Sequence, residues 1–123
     1  MQNRPALSAI LQEIALQGIK EEKRVPPRFG DWFHLQLFFA WHAWNVAVKG
    51  KSALPRALMK DVRKIKTNLG ITEHDVEAYF ISSDPHQIIE LMAAYKKEMY
   101  PFDRREIVGL ESTPQGNLRV YSR

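Results

Sequence analysis

The feature that most constrains the fold is an uncharged, aromatic-rich segment in the first half of the chain. From Trp32 to Val48 no side chain carries a formal charge. Wound as a helix, this segment would present apolar groups nearly all the way round, which is typical of a helix enclosed by other elements. Its histidines, glutamine and asparagine argue against a membrane span. We therefore predict a buried central helix, capped by Asp31 and ending near Lys49 and Gly50.

The aromatic side chains of this segment could also form a surface. Core packing is the favoured interpretation of their density, and a base-stacking or ligand-binding surface is the alternative. His34 and His42 lie on the same helix, where a hydrogen-bonded histidine of the core or its boundary is expected rather than a ligand or general base. The aromatic residues concerned are Trp32, Phe33, Phe38, Phe39, Trp41 and Trp44.

Apolar spacing predicts four further helices. The first contains Leu7 to Ile14 and stops near Gly18, with Pro5 in its first turn, before an extended connector at about 20–30. The third spans about 55–68, and the fourth runs from a Thr72/Asp75 capping box to about residue 81. The fifth starts at Asp84 and Pro85 and stops at Pro101, with a predicted buried stripe of Ile88, Leu91, Met92, Tyr95 and Met99.

The sequence pattern changes near the C-terminus from helical spacing to short β-prone runs. Two short β-prone runs in "EIVGLESTPQGNLRVYS" flank a turn-like "STPQGN", which predicts a β-hairpin lying against the helices. The predicted fold class is therefore mostly α (α+β): a compact bundle of about five helices around a central aromatic-rich helix, with a small C-terminal β-hairpin. A chain of 123 residues is expected to form a single domain, 1–123.

Composition argues against several classes of function. The chain has no cysteine, so disulfides, thiolate metal sites and cysteine nucleophiles are excluded, and the absence of a signal-peptide pattern fits the cytoplasm. No zinc-protease, nucleophile-elbow or phosphate-loop motif occurs. A site built from His74, Glu77, Asp84 and His86 is a weak metal candidate, since capping already explains Asp84. We expect no catalysis, no cofactor and no metal.

The charge pattern is the strongest functional signal. The net charge is +4. Residues 49–66 are rich in lysine and arginine, whereas residues 71–95 contain acidic residues and no lysine or arginine. A basic helical stripe can hold phosphates, or its charges can be matched by an acidic surface in the fold or in a second copy. The candidate nucleic-acid-binding residues are Lys49, Lys51, Arg56, Lys60, Arg63, Lys64 and Lys66, with Arg104, Arg105, Arg119 and Arg123 as a second set.

The segment around "NLGIT" also has the outline of a helix-turn-helix. Its second helix is acidic and would repel phosphate in a major groove, so the basic helix is the better candidate for contact. The order of Leu54-Pro55, basic helix, "LGIT", second helix and later hairpin resembles the FinO and ProQ type of RNA-binding domain over residues 54–82. The glycine-containing start of that family is absent here, and the resemblance implies only RNA among nucleic acids.

These observations lead to one prediction and one alternative. The prediction is a non-catalytic nucleic-acid-binding accessory or regulatory protein that places the basic amphipathic helix at about 55–68 on the phosphates of RNA or DNA. The alternative is a protein-protein interaction module, an adaptor or self-assembling subunit, that pairs its basic face with an acidic protein surface. No membrane partner is expected.

Overall fold

A computed structural model describes residues 6–20, 29–112 and 118–123, without the side chains of 29–32 and 112. The expected position of Pro5, most of the connector at 20–30 and the turn of the hairpin lie outside these residues. The elements are α1 (Leu7–Ala15), α2 (Phe29–Lys49), α3 (Leu58–Leu69), α4 (Glu73–Tyr79), α5 (Pro85–Met99), β1 (Ile107–Ser112) and β2 (Leu118–Ser122). The predicted fold class, a helical bundle with a C-terminal hairpin, is confirmed.

The central helix is α2, which packs against α1, α3, α5 and β1. Phe39 and Trp44 are almost completely buried in the core that these elements share. The prediction of a buried central helix is thus confirmed, but its start was wrong. The helix begins at Phe29, so Asp31 lies inside the first turn and is not the N-cap. Within the described part of the chain, no helix has both the length and the apolarity needed to cross a membrane.

Gly18 marks a close approach between the end of α1 and α5. The helix ends at Ala15 and continues as a short 3₁₀ turn over Leu16–Gly18. A Cβ atom at Gly18 would stand 2.7 Å from Met92 Cε and 3.3 Å from Ile88 Cγ2, closer than packed carbon atoms lie. A side chain at residue 18 would therefore displace the flexible end of Met92 and crowd Ile88, so packing against α5 favours glycine here.

The buried face of α5 differs from the predicted stripe. Ile88 and Met92 are buried as expected, but Leu91 and Met99 are 42% and 51% exposed. The buried residues of α5 include Ile89, Ala93 and Lys96 instead. The predicted stripe contained only apolar residues and so left out Lys96, whose Nζ lies 4.7 Å from the centre of the Trp44 ring and donates to the Asp103 carbonyl.

The α3–α4 corner follows its sequence signals closely. Gly70 ends α3 in the left-handed region, with φ of 70°, which glycine adopts without strain. The Thr72 hydroxyl accepts from the Asp75 amide, and the Asp75 carboxylate accepts from the Thr72 amide, so the predicted capping box is present. The start of α3 was predicted too early: the helix begins at Leu58, and Arg56 lies in the preceding turn.

The hairpin is antiparallel and is fastened to α2 through Ile107. Leu110 pairs with Val120 and Ser112 with Leu118, after a bulge between Ile107 and Gly109. The Asn45 side chain donates to the Ile107 carbonyl over 2.8 Å and accepts from the Ile107 amide over 2.9 Å. Trp41 Nε1 donates to the same carbonyl over 3.0 Å. These bonds attach the start of β1 to the C-terminal half of α2.

Candidate nucleic-acid interface

The outer surface of α3 is basic because the helix is strongly amphipathic. Leu58 and Val62 are buried against the core, and at 100° per residue Lys60, Arg63 and Lys64 point the opposite way and are exposed. Arg56, in the turn before the helix, is exposed as well. None of these four cations forms an ion pair with another described residue. We call Arg56, Lys60, Arg63 and Lys64 the basic strip.

The other three candidate cations are matched by acids of the same chain. Lys49 pairs with Glu106 over 3.2 Å, Lys51 with Glu90 over 3.7 Å, and Lys66 with Glu73 over 3.7 Å. The Lys66 side chain is only 15% exposed, whereas that of Lys51 is 82% exposed. An exposed ion pair contributes about 0 to 1 kcal/mol, so a phosphate could displace Glu90 from Lys51 more easily than it could reach Lys66.

The structure therefore divides the seven predicted residues into two groups. Lys49, Lys51 and Lys66 pair with acidic residues of the same chain, as in the alternative to nucleic-acid binding that the charge pattern left open. The four cations of the basic strip have no acidic partner among the described residues. Lys60, Arg63 and Lys64, at spacings of three and four residues, form one continuous exposed row on α3.

The second set of arginines is less available. Arg105 forms an ion pair with Asp103, and Arg123 forms one with Glu106. Hydrogen bonds from Arg123 and Lys49 lower the pKa of Glu106, so this carboxylate holds both cations near neutral pH. Arg104 and Arg119 are exposed.

A groove of about 260 Å³ runs beside α3, between α2 and the hairpin. Residues at spacings of three, four and seven along α2 bring its aromatic side chains onto this face. We call this feature the aromatic groove, and its lining residues are His34, Leu37, Phe38, Trp41, Ile65, Leu110 and Leu118. Phe38 and Trp41 are half-buried, and His34 is exposed.

Two rings of the aromatic groove, those of Phe38 and Trp41, also contact the ring of His42. His42 stacks on Trp41, with ring centres 4.7 Å apart and planes 16° apart, and the Phe38 ring meets His42 edge-on at 4.5 Å. Burial lowers the pKa of His42 from 6.5 to about 4, against the opposing charge of Asp61, so the imidazole is neutral at pH 7. A neutral ring can pack among aromatic groups without a counter-ion.

The sequence contains the spacing of this groove, but the aromatic residues of the groove and of the core alternate along the same helix. Phe39 and Trp44 are buried, as core packing predicted, whereas Phe38 and Trp41 lie only half-buried on a different face of α2. The spacing 34, 37, 38, 41 identifies that face. Only the positions of Ile65 and of the hairpin show that the face is left partly open.

The structure does not support the candidate metal site or the helix-turn-helix. Among the residues that the structure describes, no three His, Asp or Glu side chains come together as a metal site, and this includes His74, Glu77, Asp84 and His86. The second helix of the helix-turn-helix outline, α4, has seven residues and exposes Glu73, His74 and Glu77, so its outer surface is acidic.

Comparison with protein-family models, curated proteins and solved structures finds no match to this chain. The resemblance of residues 54–82 to the FinO and ProQ type of domain gains no support from these comparisons and stays a hypothesis from the sequence.

Proposed function

We propose that the protein is a non-catalytic nucleic-acid-binding accessory or regulatory protein of the cytoplasm that holds phosphates on its basic strip. The observation that carries the proposal is the set of four exposed cations with no acidic partner in the described part of the chain, beside three neighbouring cations that do have one. Each phosphate neutralised by such a cation releases counter-ions, which favours association at low salt.

The test is a binding titration with four labelled polymers: duplex DNA, single-stranded DNA, and single- and double-stranded RNA. Fluorescence anisotropy at several salt concentrations gives the affinity and its salt dependence. Four phosphate contacts predict a slope of log K against log salt of about −2.8 on single strands and about −3.6 on duplex DNA. Tighter binding to duplexes would indicate that the basic strip contacts the phosphates of a double helix. Tighter binding to single strands would indicate that it contacts the backbone of an unpaired strand.

Charge reversal identifies the surface. Lys60→Glu/Arg63→Glu should weaken binding to every sequence and reduce the single-strand slope by about 1.4 or more. The single change Lys60→Glu has a matched control in Lys97→Glu, which reverses an exposed lysine on α5 outside the basic strip. If both single variants lose affinity equally, the effect comes from net charge and the basic strip is not the binding surface.

The alternative is a protein-interaction module that pairs the basic strip with an acidic protein surface. The observation in its favour is that Glu73 on α4 and Glu90 on α5 already pair with Lys66 and Lys51. The same chemistry in a second copy would give a heterologous contact, which forms rings or filaments. Sedimentation should then show a mass that rises with protein concentration and falls with salt, and a monomer at every salt concentration would contradict self-assembly.

A further inference from the structure

We infer that the aromatic groove receives unpaired bases, so that the nucleic acid bound by the basic strip is single-stranded. The inference rests on the proposed function and adds the class of polymer. Two features of one surface support it. One is a groove lined by Phe38, Trp41 and His34, and the other is a row of cations on α3, which contributes Ile65 to the groove, with no acidic partner among the described residues. Proteins that bind single strands combine these two features, cations for the backbone and aromatic rings for the bases.

The groove and the basic strip meet on α3. Ile65 lines the groove, and Lys64 precedes it, which places the lysine 100° further round the helix toward solvent. Asp61, four residues before Ile65, lies on the groove side and would repel a phosphate there. The charges thus place the backbone over Lys60 and Lys64, with the bases turned inward toward α2.

The aromatic rings are preorganised for stacking. Trp41 is held by its hydrogen bond to the Ile107 carbonyl and by the stacked His42 ring, which covers one face of the indole. A ring already fixed in place loses little conformational freedom when a base binds. The surrounding Leu37, Leu110 and Leu118 exclude charge from the groove, which suits a flat base and not a phosphate.

The apolar character of the groove would also suit a peptide. The neighbouring charge decides between the two occupants: a strip of four cations complements a polyanion, and every nucleotide supplies an anion and a ring together. A double helix keeps its bases stacked inside, so it could use the basic strip but not the groove.

The experiment compares a single-stranded oligoribonucleotide with an abasic phosphodiester strand of equal length and equal charge. Wild-type protein should bind the base-bearing strand at least about fivefold more tightly, since stacking of one base has about this value or more. Phe38→Leu and His34→Ala should reduce that preference while the salt slope stays unchanged. His34 is exposed, so its replacement tests the groove without disturbing the core.

Tryptophan fluorescence supplies a second measurement. Base stacking should quench the emission of wild-type protein, and Trp41→Phe should show the larger loss of quenching. Trp44→Phe is the matched control: it removes one indole and one Nε1 hydrogen bond, to the Arg105 carbonyl, but at a residue fully buried away from the groove. Equal quenching in both variants would overturn the inference.

The outcomes separate the two proposals. If the abasic strand binds as tightly as the base-bearing one, and Lys60→Glu/Arg63→Glu still weakens binding, the groove inference is wrong and phosphate binding stands. If no polymer binds even at low salt, both proposals are wrong and the groove becomes a candidate for an apolar peptide.

Discussion

Asn45 is a buried side chain of α2 that helps to attach the hairpin to this helix. Its amide makes two hydrogen bonds to the backbone of Ile107, and only the carbonyl of Ile107 has a second bond in place, from Trp41. Asn45→Ala removes the acceptor of the Ile107 amide. A buried donor left without a partner costs about 1 to 3 kcal/mol, and the lost bond to the carbonyl adds about 1 kcal/mol. We expect a loss of about 2 to 4 kcal/mol in the free energy of unfolding.

Thermal denaturation followed by circular dichroism measures this loss. For a chain of 123 residues, about 4 °C per kcal/mol converts the expected range to a decrease in Tm of about 8 to 16 °C. Asn68→Ala is the matched control, since it makes the same change on the exposed side of α3 and should alter stability by less than about 0.5 kcal/mol. Hydrogen exchange at the hairpin amides should accelerate in the Asn45 variant alone.

A Tm within about 3 °C of the Asn68→Ala value would refute the reasoning, because it would mean that the two Ile107 bonds are replaced by water at little cost. The same variant bears on function: Leu110 and Leu118 form one wall of the aromatic groove, so a released hairpin should also lower the preference for base-bearing strands.

Two further predictions concern buried ionisable groups. Burial lowers the pKa of His42 to about 4, so between pH 6.5 and pH 4 the unfolded chain binds a proton that the folded chain does not bind. The free energy of unfolding should therefore be highest above pH 6.5 and fall by up to about 3 kcal/mol toward pH 4. Urea denaturation across this range should show that the free energy of unfolding depends less on pH in His42→Phe than in wild-type protein, and an equal dependence in both would contradict the reasoning. For Lys96, burial lowers the pKa, and its methylenes pack where only 3% of the residue is exposed. Lys96→Met should change the free energy of unfolding by less than about 1.5 kcal/mol, because the side chain keeps its shape and a desolvated charge is removed. Lys96→Ala should lower it by about 2 kcal/mol or more, because the buried methylenes are lost. Equal losses in both variants would show that the ammonium group itself stabilises the fold.

Local signals in the sequence predicted most of the helix boundaries. Gly70, the Thr72/Asp75 capping box and Pro85 act within one turn of the chain, so their effect depends little on the rest of the molecule. The buried face of α5 was predicted less well. A hydropathy pattern assigns every lysine the same value, and it does not show whether a tryptophan ring and a carbonyl lie close to the ammonium group in the fold. Lys96 is buried by Trp44 and Asp103, which are distant in sequence or in a different element.

The candidate site shows the same division. The sequence by itself determined that α3 is amphipathic and basic, since the period of a helix places Lys60, Arg63 and Lys64 opposite Leu58 and Val62. Only the tertiary structure decided which cations have an acidic partner in the described part of the chain, because ion pairs join residues such as Lys49 and Glu106 that no local pattern relates. It also decided that one aromatic face of α2 remains open, since the hairpin and α3 cover that helix from two sides and leave the groove between them.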